Sequence, residues 1–135
     1  MSVNYGRPAS PEGVVIGRLI PLGLPVGVER SEDDLLPSYL VTAFPGTSDR
    51  RMLTAIVSVA SFGATRAEAE AAAWAADDQL ISGTPGDVIT LPDGSTATAW
   101  IDPYQTPAWD NYDGDPYLKR YVARYRAFLR CTQTR

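Results

Sequence analysis

The chain has 135 residues, 44% of them apolar and 21% charged; these are the proportions of a soluble globular protein, and the length suits one compact domain. A formal net charge of −4 argues against a general nucleic-acid binder, and no run nears the roughly 18 apolar residues of a membrane span. Histidine is absent and Cys131 is the only cysteine, which excludes Ser-His-Asp and Cys-His catalysis, His-ligated metals and any internal disulfide.

The opening residues MSVNYGRPASPEG lack the charged-then-apolar layout of a signal peptide, so the expected location is the cytoplasm or a particle assembled there. Residues 1–10 read as a flexible arm. Ser10-Pro11-Glu12 then has the form of a helix start, with serine as N-cap, proline at the first helical position and an acid in the first turn. Val14, Val15, Ile16, Leu19 and Ile20 follow, and Pro21 keeps the helix short. The Pro/Gly-rich segment 21–37, acidic at Glu32-Asp33-Asp34, reads as a loop with one short strand at Val26–Glu29. Ser38–Phe44 is β-branched and aromatic and runs into Pro45-Gly46, a turn signal. Arg50–Phe62 is apolar or small on both alternating faces, as in a strand inside a sheet.

Thr65-Arg66-Ala67-Glu68 fits a capping box that opens an alanine-rich helix over about 65–82, stopped by Ser82-Gly83 and Pro85. At 100° per residue, Ala69, Ala72, Ala73, Ala76 and Leu80 share one face, small enough to sit close on a sheet. Ala67, Trp74 and Ile81 form a second stripe, set apart by Arg66, Glu70 and Asp77. Two readings of it are open: a surface for a partner, or a wide core face with Trp74 at the sheet margin. Asp77 and Asp78 oppose the helix dipole in the last turn, which predicts a basic partner for them. Asp87–Leu91, the turn Pro92-Asp93-Gly94 and Ser95–Ile101 predict a β-hairpin, and Asp102–Pro116 reads as a loop. Tyr117–Cys131 divides cleanly under both periods, and periodicity slightly favours a helix. As a strand, Tyr121, Ala123, Tyr125, Ala127, Leu129 and Cys131 would alternate with Arg120, Val122, Arg124, Arg126, Phe128 and Arg130. Cys131 reads as a small buried side chain.

Charge is unevenly placed. Residues 119–135 carry Lys119, Arg120, Arg124, Arg126, Arg130 and Arg135 and no acid, a charge of +6, which leaves −10 on the first 118 residues. Such polarity suits assembly between copies, or a basic tail lying across its own acidic body. Catalytic patterns are missing. Around Asp110–Asp115 neither calcium-loop register supplies the required ligands and glycine. No Gly-Lys-Ser phosphate loop occurs, and the pairs Asp33/Asp34 and Asp77/Asp78 are adjacent residues that point apart. No enzyme, metal or cofactor is expected.

The strand-to-helix run VSVASFGATRAEAEAAAWAADDQL, the LPDG hairpin and the terminal RYVARYRAFLR together resemble, in order, spacing and length over about residues 38–131, the tail terminator (tail-completion or head-to-tail joining) proteins of long-tailed actinobacterial phages. Eleven arginines to one lysine agree with a GC-rich host. The resemblance implies an α+β single domain with a mixed or antiparallel β-sheet flanked by helices, and a strand over Arg120–Arg130. It also implies a hexameric ring at the head–tail junction that caps the tail tube and docks the head-completion or connector protein. DNA would pass through its lumen without being read. Segment 21–37 has no counterpart in that pattern. The candidate interface residues are Trp74, Ile81, Arg120, Arg124, Arg126 and Arg130. Another head–tail joining protein (a head-completion adaptor or tail-tube relative) and a small non-viral α+β binding module are the competing expectations.

Overall fold

In a computed structural model, the structure describes residues 4–5, 10–30, 35–48, 52–83, 87–111, 114, 117–130 and 133–134. The expectations for Cys131, for the acids at 32–34 and for much of the 110–115 run lie outside these residues. Of the N-terminal arm, Asn4–Tyr5 form strand β1, which pairs antiparallel with β8, Gln133–Thr134.

Helix α1, Pro11–Leu19, starts as its sequence dictates: Ser10 Oγ accepts the Gly13 N–H at 3.1 Å, with proline in the first turn. Glu12 adds a tertiary tie, its carboxylate accepting the Ala43 backbone N–H at 3.2 Å. Pro21 falls in a 3₁₀ turn, Ile20–Leu22, that closes on Gly23 in the left-handed region at φ 78°. The short strand expected near residue 26 is β2, Val26–Gly27.

The main sheet has six strands among the described residues, in the order β2-β3-β4-β7-β6-β5. Strands β3 (Ser38–Ser48), β4 (Met52–Gly63), β5 (Val88–Thr90), β6 (Thr96–Asp110) and β7 (Lys119–Arg130) pair antiparallel, and β2 runs parallel to β3, so the sheet is mixed. β4 lies between β3 and β7, which explains why both of its faces are apolar or small. Pro45-Gly46 is not the end of β3. The strand continues through a register shift between Phe44 and Thr47, where a Cβ on Gly46 would overlap the Thr54 carbonyl oxygen. Glycine here lets two backbones meet at a bulge.

The balanced periodicity of 117–131 is resolved as strand β7, not helix. Tyr121, Ala123, Tyr125, Ala127 and Leu129 are buried, while Arg124, Arg126 and Arg130 are exposed. Twelve consecutive register partners on β4 decide the outcome, since tertiary pairing outweighs a weak local preference. The second correction is β6: the expected loop from Asp102 is strand as far as Asp110, kinked by register shifts either side of Gln105. Pro103 and Pro107 suggest a loop locally, yet prolines are accommodated where a strand lacks a neighbour on one side.

Helix α2, Arg66–Ile81, is capped by Thr65, whose Oγ accepts the Glu68 N–H at 3.1 Å; Glu68 in turn accepts the Ala64 N–H at 3.3 Å. Ala69, Ala72, Ala73, Ala76 and Leu80 are all buried, as the helical spacing predicts. Both helices cover one face of the sheet. Val14, Val15 and Leu19 of α1 and Ala72, Ala76 and Leu80 of α2 share one core with Tyr39, Val41, Val57, Val59, Tyr125, Ala127 and Leu129. The helices are also tied to each other, Arg18 donating to the Gln79 carbonyl and Gln79 Nε2 to the Arg18 carbonyl, both at 3.0 Å. The result is an α+β fold of two layers, with helices on one side and, among the described residues, no helix on the other, where Arg30 lies over Phe62 at one end.

Candidate functional site

The two groups of candidate residues lie in opposite layers. Trp74 and Ile81 are 43% and 41% exposed on the outer side of α2. On a helix, Glu70 and Asp78 lie about 40° to either side of Trp74, so an apolar stripe is bordered by carboxylates. Ala67, the third residue of the stripe, is exposed as well.

The arginines stand on the sheet face opposite the helices, at four of the six even positions of β7, with Val122 and Phe128 at the other two. Arg120 forms an ion pair with Asp110. Arg124 donates to Gln105 Oε1 at 3.1 Å and lies 5.9 Å over the Phe44 ring; Arg126 lies 5.5 Å over Tyr104. Arg130 is exposed opposite Met52 on β4. A guanidinium stacked on a ring is held in place while its N–H edge remains available to a carboxylate. Asp102 pairs across the ladder with Arg126, as Asp110 does with Arg120.

Register adds apolar residues that the local sequence did not single out. Phe44 is opposite Ile56, Ile56 is opposite Arg126, and Phe128 is opposite Trp100, the last two stacked at 4.8 Å with an interplanar angle of 18°. Phe44 is 44% exposed. The alternation of Val122 and Phe128 with the arginines was the available signal; Phe44, Ile56 and Trp100 come from three other strands and are gathered by the sheet alone. Aromatic, methionine and arginine side chains together are the composition of protein-binding surfaces.

The helix-covered side contains the polar groups of strained titration. Tyr125 is fully buried and donates to Asp77 Oδ1 at 2.8 Å. Burial first, and then this hydrogen bond to a carboxylate, drives its phenol well above the ordinary value. Asp77, expected to meet a basic partner, is 5% exposed and meets this tyrosine. Tyr39 donates to the Ala72 carbonyl at 2.7 Å, and burial pushes its phenol up to about 12. At the other end of α2, Arg66 donates to the Tyr121 hydroxyl at 3.3 Å and lies 4.7 Å over Trp109, while Tyr121 donates to Glu70 at 3.1 Å. The hydrogen bond from Arg66 to Tyr121 is the first cause of a raised guanidinium pKa. These groups fasten α2 to β3, β6 and β7.

Asp93 accepts both the backbone N–H (2.9 Å) and the hydroxyl (2.5 Å) of Ser95, with Gly94 at φ 88°, and these hydrogen bonds lower its carboxyl pKa. This is the chemistry of a tight turn. Among the described residues, no three or more His, Cys, Asp or Glu side chains gather as metal ligands, and no helix is long and apolar enough to cross a membrane.

No protein-family model matches the sequence, and no curated protein matches it. Among solved structures, a chain from the virion of a native gene transfer agent particle has the same fold. The TM-score is 0.53 at 18% sequence identity, with 90% of this chain and 95% of that chain covered.

Proposed function

We propose that the chain is a structural virion protein, not an enzyme, and that it acts as the tail terminator of a long-tailed phage of actinobacteria. The single observation that carries this reading is the likeness to a virion chain, which spans nearly the whole of both molecules. The order of elements from β3 to β7 and the Arg-rich, Lys-poor composition support it.

The work of such a protein is geometric. Two unlike exposed faces on one subunit favour heterologous contacts, and a heterologous contact closes into a ring when its rotation divides the circle. Six copies form that ring. One side binds the last ring of the tail tube; the other lacks a surface for another tube ring, so growth ends there and the head-completion or connector protein docks. DNA threads the lumen without being read by sequence.

The deciding measurement is the mass of the purified protein, alone and with tail-tube protein. A sixfold mass, or six copies bound at tube ends with tube length limited, supports the terminator. Incorporation along the tube would make it a tail-tube relative, and binding to the connector alone a head-completion adaptor. A monomer that ignores both would leave a small α+β binding module.

A further inference from the structure

We propose that the outer face of α2 on one copy packs against the exposed Phe44–Arg126 part of the next copy's sheet, on the side opposite the helices. Trp74 would sit beside Phe44 and Ile56, with Glu70 and Asp78 facing Arg124 and Arg126. The proposal rests on the ring reading above and names the contact that builds the ring.

Charge complementarity identifies the occupant. The helix offers Ala67, Trp74 and Ile81 between two carboxylates; the sheet offers Phe44, Ile56 and Phe128 beside three exposed arginines, with Asp102 the one acid set across from them, opposite Arg126. On the helix the apolar stripe lies between carboxylates; on the sheet the arginines of the interior strand β7 alternate with Val122 and Phe128 and adjoin Ile56 and Phe44, so the prevailing charges of the two surfaces are of opposite sign. A contact of a surface with itself would set acid against acid or arginine against arginine. Beyond the short outer strands β2 and β5, the sheet margins offer less: β6 contains Pro103 and Pro107, and β3 contains Pro45 and a bulge, devices that discourage edge-to-edge pairing. The two complementary faces lie in opposite layers of one subunit, so the contact is head-to-tail, and a ring closes where the two faces are inclined to each other by the rotation that the ring requires.

Sedimentation and chemical cross-linking of charge-exchanged variants test this. Arg124→Glu/Arg126→Glu and Glu70→Arg/Asp78→Arg should each weaken self-association about a hundredfold. An equimolar mixture of the two should assemble again, because each altered face now meets its match on the other variant. Glu70 also accepts from Tyr121, so the pair Asp78→Arg and Arg124→Glu repeats the exchange with that hydrogen bond intact. Trp74→Ala should weaken association about thirtyfold while circular dichroism and the melting temperature of the monomer stay as in wild type. Variants that assemble like wild type, a mixture that stays apart, or a wild-type chain that is monomeric at every concentration would each overturn the contact. A monomer that still caps tubes in six copies would overturn the contact and keep the terminator; assembly through this contact in a protein that ignores tubes would do the reverse.

Discussion

Tyr125 and Asp77 show how much one buried pair contributes. The carboxylate is in the last turns of α2, where the helix dipole opposes it, and it is held by a phenol donated from the neighbouring sheet. Tyr125→Phe removes the donor and leaves the carboxylate buried. A hydrogen bond to a charged group contributes about 1.5–3 kcal/mol, so urea unfolding should show a loss of that size with an unchanged m-value. A loss near zero would mean that the carboxylate finds another donor at no cost. The same tyrosines set an alkaline limit. The phenol of Tyr39 moves from 10.0 to about 12 on folding, and that of Tyr125 also rises. Raised values mean that the folded state holds these protons more tightly. Their contribution is complete below pH 10 and is lost as pH rises through 10 to about 12 and beyond. Tyrosinate absorbance should therefore show a late fraction that develops together with loss of the fold, and Tyr125→Phe should diminish it.

At the scale of elements, α1 meets β5 so closely that its glycines decide the packing. A Cβ on Gly17 would overlap the Thr90 carbonyl oxygen, whereas one on Gly13 would meet side-chain atoms alone, Leu91 at 3.1 Å and Ser10 at 3.4 Å. Glycine to alanine inside a helix ordinarily gains about 0.5–1 kcal/mol. Gly13→Ala should therefore be neutral or slightly stabilising, while Gly17→Ala should cost about 1–3 kcal/mol as α1 is forced off the sheet. Thermal melts of the two variants give the comparison, and equal effects would refute the close approach. Legibility in the sequence followed the range of the signal. The caps and buried face of α2 are written within a few residues, and the sequence predicts them. β7 carries its burial pattern too, but Leu118, Tyr121, Val122, Tyr125, Phe128 and Leu129 also make a helical arc, and only the partner strand β4 breaks the tie. The outer half of β6 was illegible, because its prolines and register shifts make sense only beside β7. The arginines of the candidate surface were legible as an alternation; its apolar centre was not, since Phe44, Ile56 and Trp100 are far apart in the chain.

For the whole molecule, the concentration of positive charge in the last strand is partly answered from within, by Asp110 on Arg120 and by the rings under Arg124 and Arg126. If DNA passes the protein unread, duplex DNA should bind negligibly at physiological salt, with a log–log salt slope near zero. A slope of about −3 to −4 would instead give each of Arg120, Arg124, Arg126 and Arg130 a phosphate. Along β6, from Trp100 to Asp110, the described residues place a sheet neighbour on one side only, and two of the eleven positions are prolines. Backbone pairing is indiscriminate, since any extended chain can satisfy it. A margin interrupted in this way offers a second chain few consecutive backbone partners, so any ring of the proposed kind would depend on side chains, which discriminate between partners where the backbone does not.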